Sequence, residues 1–149
     1  MKANILTLIL TSVSLFVATA YGQNSNDLIG IWHNELQETL TITAISSTGQ
    51  LTGTYRYRPE TDDSSFQLNG WAGPDTAAPK KGAVVPVIFM AWMAPYGSVK
   101  VWSGYLTKAD DGRTSIFTIW NVIRALADPD PPLDQSAINK ATFKPGAAQ

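Results

Sequence analysis

Apolar and polar side chains alternate with a period of two along most of the chain. The pattern is clearest in Thr39-Leu40-Thr41-Ile42-Thr43-Ala44, where the apolar residues share one face and the threonines the other. Such alternation predicts a half-buried strand, because successive side chains of an extended backbone point to opposite faces. Ser46-Ser47-Thr48-Gly49-Gln50 interrupts the pattern with turn formers and Leu51 to Tyr57 resumes it, so residues 39–57 read as a hairpin. Comparable runs lie at Ile29 to Asn34, Phe66 to Ala72, Ala83 to Met93, Ser98 to Thr107, Thr114 to Arg124 and Asn139 to Lys144. Lys108-Ala109-Asp110-Asp111-Gly112 separates two of these, and its Asp-Gly pair suits a tight antiparallel turn with positive φ. Helical spacing is nowhere sustained, and Asp128-Pro129-Asp130-Pro131-Pro132 reads as a loop. Eight successive strands with mostly short connections predict an all-β fold, an eight-stranded antiparallel up-and-down β-barrel that removes exposed sheet edges by closing.

The N-terminus follows a different rule. Lys2 precedes an apolar run from Ile5 to Val17, and Ala18-Thr19-Ala20 then supplies the small residues of a secretory cleavage site. Residues 1–22 read as a signal peptide cut after Ala20 or Gly22, and residues 23–149 as the barrel domain. The apolar run is shorter than the roughly 20 residues a spanning helix needs. The expectation is a secreted or periplasmic protein with no membrane contact once the signal is removed.

Composition narrows the chemistry. Of 149 residues, 44% are hydrophobic, 15% charged and 10% aromatic, too little charge and too many aromatics for a disordered chain or a coiled coil. Eleven basic and twelve acidic side chains nearly cancel, leaving no field to gather a nucleic acid. The absence of cysteine removes disulfides and thiolate chemistry, and the single histidine, His33, removes a His-rich metal site. His33 also alternates away from the face of Trp32 and Asn34, which fits a surface or interface residue. The acidic pairs Asp62-Asp63 and Asp110-Asp111 have the backbone role usual for aspartates in turns. Together these features argue against an enzyme and against a bound metal or cofactor.

An eight-stranded barrel either fills with side chains or holds one small ligand at its mouth. The tryptophans Trp32, Trp71, Trp92, Trp102 and Trp120 suit either outcome, as core or as an aromatic box. Gly30-Ile31-Trp32-His33-Asn34-Glu35-Leu36 resembles the first-strand G-x-W-x-N-x-L of the avidin and streptavidin family, and Leu51-Thr52-Gly53-Thr54-Tyr55 is identical to its L-T-G-T-Y. Ala91-Trp92, Trp102-Ser103-Gly104, Trp120 and Thr142-Phe143 follow in the family's order, so that the resemblance spans residues 28–144.

That resemblance implies a biotin-type site with no cofactor, an aromatic box of Trp92, Trp102 and Trp120, and ureido-oxygen contacts from Asn34 and Tyr55. The polar half is rewritten. Glu38 stands at a family serine, Tyr57 at a serine or threonine, Ala141 at an aspartate or asparagine, and Lys100 at a threonine. Ser98 matches the serine that helps hold the ligand carboxylate, Leu133 replaces the lid tryptophan, and Asn139 is placed to substitute for the residue lost at Ala141. Each buried polar atom left unmatched costs about 1 to 3 kcal/mol, so the implied ligand is biotin held weakly or a related small cyclic molecule. Glu38 and Lys100 face the same mouth and are expected to pair, since either charge buried alone is costly. The alternative is a structural or protein-interaction barrel that kept the fold and lost the pocket. The family also implies a homo-oligomer, a tetramer or a dimer.

Overall fold

The computed structural model describes residues 24–57, 65–73, 84–124 and 136–146. Eight antiparallel strands close into one barrel in sequence order: β1 (Gly30–His33), β2 (Thr39–Ile45), β3 (Gln50–Arg56), β4 (Ser65–Ala72), β5 (Val85–Met93), β6 (Ser98–Lys108), β7 (Thr114–Arg124) and β8 (Ser136–Pro145). The expected up-and-down β-barrel is therefore the observed one. β8 begins three residues earlier than the alternation at Asn139 predicts, because Ser136, Ala137 and Ile138 extend the ladder against Ile123, Val122 and Asn121. Ile138 is exposed there, so register against β7 rather than burial holds that end of the strand. The expected signal peptide and cleavage site, the Asp62-Asp63 pair, the proline-rich loop and Leu133 lie outside the described residues.

Inward and outward rows alternate with the two-residue period, except that a bulge in β2 between Ile42 and Ala44 leaves Thr43 and Ala44 both exposed, so Ala44 does not share the buried face of Leu40 and Ile42 as its alternation predicts. On β5 the buried set is Val85, Val87, Phe89, Ala91 and Met93, with exposed residues between. The interior is filled by large side chains, among them Phe89, Trp102, Leu106, Ile116 and Phe143, all fully buried. Each removes apolar area from water worth about 1.5 to 3 kcal/mol. At one end a 3₁₀ turn, Ser25–Leu28, plugs the barrel: Leu28 is fully buried and its carbonyl accepts the Trp32 indole N–H at 2.8 Å.

Three turns share one geometry. Ser46 N–H donates to the Gln50 carbonyl and Gly49 N–H to that of Ser46, and Ala109, Arg113 and Gly112 repeat the arrangement. Gly49 and Gly112 take the left-handed position at φ 82° and 86°, as the Asp-Gly signal foretold for the second. The third turn, Asn34 to Glu38, has the same two backbone bonds, but the left-handed residue is Gln37 at φ 62°. A side chain there costs about 1 to 2 kcal/mol relative to ordinary backbone. The Asn34 side chain offsets this cost, since its Oδ1 accepts both the Leu36 and the Glu38 N–H. Glu35 anchors the same turn to β8, accepting the Thr142 N–H at 3.3 Å.

Candidate functional site

The barrel end opposite the 3₁₀ plug is open. A cavity of about 550 Å³ lies there, walled by Leu36, Met93, Tyr96, Trp120, Val122 and buried Ser98, whose hydroxyl donates to the Tyr96 carbonyl at 2.9 Å, with Tyr57, Arg124 and Asn139 toward solvent. Its floor is polar, made of Glu38, Tyr55 and Lys100.

The first turn explains why a carboxylate stands at that floor. Glu38 leaves the turn on the same side as Leu40, which faces Tyr55 across the β2–β3 ladder. It is fully buried. Asn34 Nδ2 donates to one carboxylate oxygen at 2.7 Å, and the Tyr55 hydroxyl donates to the other at 2.8 Å. Lys100 Nζ pairs with that second oxygen, so the expected Glu38–Lys100 ion pair is present. Burying such a pair is tolerable only when hydrogen bonds satisfy its remaining atoms, a condition Asn34 and Tyr55 help to meet.

Lys100 is also boxed by rings. Its Nζ lies 4.2 Å from the Trp120 ring centroid, 5.0 Å from Trp102 and 5.7 Å from Tyr55, within range for cation–π attraction. Burial pulls the Lys100 ammonium below the usual lysine range, although the Glu38 carboxylate works against that shift. Burial, and then the negative charge of Glu38, push the Tyr55 phenol far above the usual tyrosine range.

The structure sorts the expected site residues into three groups. Glu38, Tyr55, Tyr57, Ser98, Lys100, Trp120 and Asn139 line the cavity. Asn34 and Trp102 stand behind the floor: Asn34 spends its amide on the turn and on Glu38, and Trp102, fully buried, meets Tyr55 edge-on at 4.8 Å. Trp92 is not in the site. It is 61% exposed on the outward row of β5, with Ile88 and Met90.

Strand parity explains that correction, because Ala91 faces Lys100 and Met93 faces Ser98 across the ladder, leaving Trp92 opposite Val99. Met93 lines the wall where the box residue was expected. Both rows of β5 are apolar, so hydrophobicity alone could not separate them. Val122 and Arg124 were missed, yet counting by twos from Trp120 would have found them.

A match to the Avidin family covers residues 22–145. The chain belongs to the avidin family. Solved structures agree on the fold: xenavidin has 22% identity and a TM-score of 0.67 over 80% of this chain and 98% of its own. A biotin-binding protein from chicken gives 20% identity and a TM-score of 0.68, over 80% of this chain and 96% of its own. AVR2 gives 19% identity and a TM-score of 0.70, over 85% of this chain and 100% of its own. Curated proteins give no sequence match. Avidin-family proteins are binding proteins that take biotin-type ligands without cofactors. In this avidin-family chain no group of three metal-ligating side chains occurs among the described residues.

Proposed function

We propose that this chain is an exported small-molecule binding protein that takes biotin or a related small cyclic ligand in the barrel mouth. The observation that carries the reading is the cavity of about 550 Å³ with an aromatic and apolar wall and a polar floor. Pockets of this size and lining suit a compact organic ligand held by a few polar groups. Trp120, Met93 and Val122 would pack on the ring system, while Lys100 would donate to a ligand carbonyl. Ser98, Asn139 and Arg124 stand where a carboxylate tail would leave the mouth. A urea-like head would meet a carboxylate at Glu38 where the family has a serine, which favours weakened biotin binding.

Export rests on the signal-like residues 1–22. Assembly into a homo-oligomer, a tetramer or a dimer, is supported by the outward row of Ile88, Met90 and Trp92 together with exposed Phe117 and Ile119. A patch of that kind on a soluble barrel is the usual sign of a partner surface. The second reading, a structural or protein-interaction barrel without a ligand, is favoured by the same patch and by the ion pair filling the floor. Calorimetry and tryptophan emission with biotin and desthiobiotin separate the two: heat and a spectral change support the ligand site, and their absence at millimolar ligand favours the structural barrel.

A further inference from the structure

Lys100 differs in kind from the chain's other described lysines. Lys140 and Lys144 stand exposed on β8 and Lys108 is half-buried at the end of β6, whereas Lys100 is 4% exposed and lines the mouth. A surface lysine is protonated at neutral pH and is a poor nucleophile. A lysine in a ring-lined pocket with an adjoining base is the arrangement that activates an amine toward carbonyl carbon. The groups facing Lys100 are the Glu38 carboxylate, the Tyr55 hydroxyl and, toward the rim, the Arg124 guanidinium.

From this geometry we infer that Lys100 captures a carbonyl ligand, a small aromatic or cyclic aldehyde, as a reversible imine at the floor of the mouth. The inference rests on the mouth being a small-ligand site. Glu38 takes a proton from the ammonium, and the freed Nζ pair attacks the carbonyl carbon. A C–N bond forms as the C=O π bond breaks. A proton then moves from nitrogen to oxygen, giving a carbinolamine. Glu38 returns its proton to that hydroxyl, water leaves, and the nitrogen pair closes the C=N bond. The net change is ammonium plus aldehyde to iminium plus water.

Charge is conserved at every stage. The product iminium faces the same Glu38 carboxylate and the same Trp120 ring as the ammonium it replaces, so no new buried charge must be desolvated. The lowered proton affinity of Lys100 works in the same direction, easing release to Glu38. Walls of Trp120, Tyr96 and Met93 fit a flat ring carried on the aldehyde carbon.

The test uses benzaldehyde with the intact protein, mild borohydride reduction and peptide mass mapping, with benzyl alcohol as a ring of similar shape that cannot condense. Preferential trapping at Lys100 over the chain's other lysines is the expected result. Trapping spread evenly over the exposed lysines, or none at Lys100, overturns the inference. If Lys100 stays unmodified while benzyl alcohol changes tryptophan emission, the imine is excluded and the ligand site stands; if neither occurs, both fall. Glu38→Gln should slow trapping at Lys100 by about a hundredfold or more, as loss of a positioned base does, and an unchanged rate in a folded variant contradicts the mechanism. Should that variant fail to fold, the mapping on the parent protein decides alone.

Discussion

Glu38 and Lys100 lie 62 residues apart in sequence and meet as a buried ion pair at the floor of the barrel mouth. The first stands at the end of the β1–β2 turn and the second on the inner row of β6, so the pair links the two sides of the opening. Neither charge has solvent to fall back on. Removing one partner should therefore cost about 3 to 5 kcal/mol, whereas removing both should cost much less. Urea unfolding of Glu38→Ser, Lys100→Thr and the double variant is expected to give that non-additive pattern. Two single variants as stable as the parent would show that the charges are solvated.

Gln37 occupies the left-handed position that glycine holds in the two sister turns. Gln37→Gly should raise stability by about 0.5 to 1 kcal/mol, the strain relieved exceeding the added freedom of the unfolded chain. Thermal unfolding measures this directly, and a fall in Tm would mean that the Asn34 side-chain bonds already remove the strain.

Tyr55 should resist ionisation. Its folded pKa is raised above the ordinary 10.0 by burial and by Glu38, so its contribution to stability is complete below pH 10 and is lost as pH climbs toward the folded value. Absorbance titration is expected to show Tyr55 ionising only with alkaline unfolding. The Tyr55→Phe variant should lose the alkaline part of that pH dependence.

Trp92 and Trp120 should separate assembly from ligand binding. Trp92→Ala removes an outward side chain and is expected to leave ligand affinity unchanged while shifting light-scattering mass toward the monomer. Trp120→Ala removes a wall and should weaken ligand binding with the assembly intact. Loss of ligand affinity in Trp92→Ala without a change in mass would place that side chain back in the site.

The barrel was legible because alternation holds along most of the strands, the part of β2 after Ile42 and the start of β8 excepted, and because Gly49 and Gly112 mark the turns where a left-handed residue is needed. Tyr55, Ser98, Lys100 and Trp120 line the cavity, where motif order and parity place them. Trp92 was not, because Ile88, Met90 and Trp92 are as apolar as the buried row beside them, and only the pairing of Ala91 with Lys100 fixes which row faces in. Asn34 was read as a ligand contact, yet its amide is engaged by Leu36, Glu38 and the turn. A short motif gives residue type and position but not which partner a side chain meets first.

The affinity of the parent protein for biotin, set beside that of the Glu38→Ser, Lys100→Thr double variant in one calorimetric titration, tests most directly whether the mouth is a ligand site governed by this ion pair. Restoring small hydroxyls at both positions should tighten biotin binding by about tenfold or more, the equivalent of at least one recovered hydrogen bond to a buried polar group. A parent that already binds biotin as tightly as the double variant, or a folded double variant that binds none, would contradict the account.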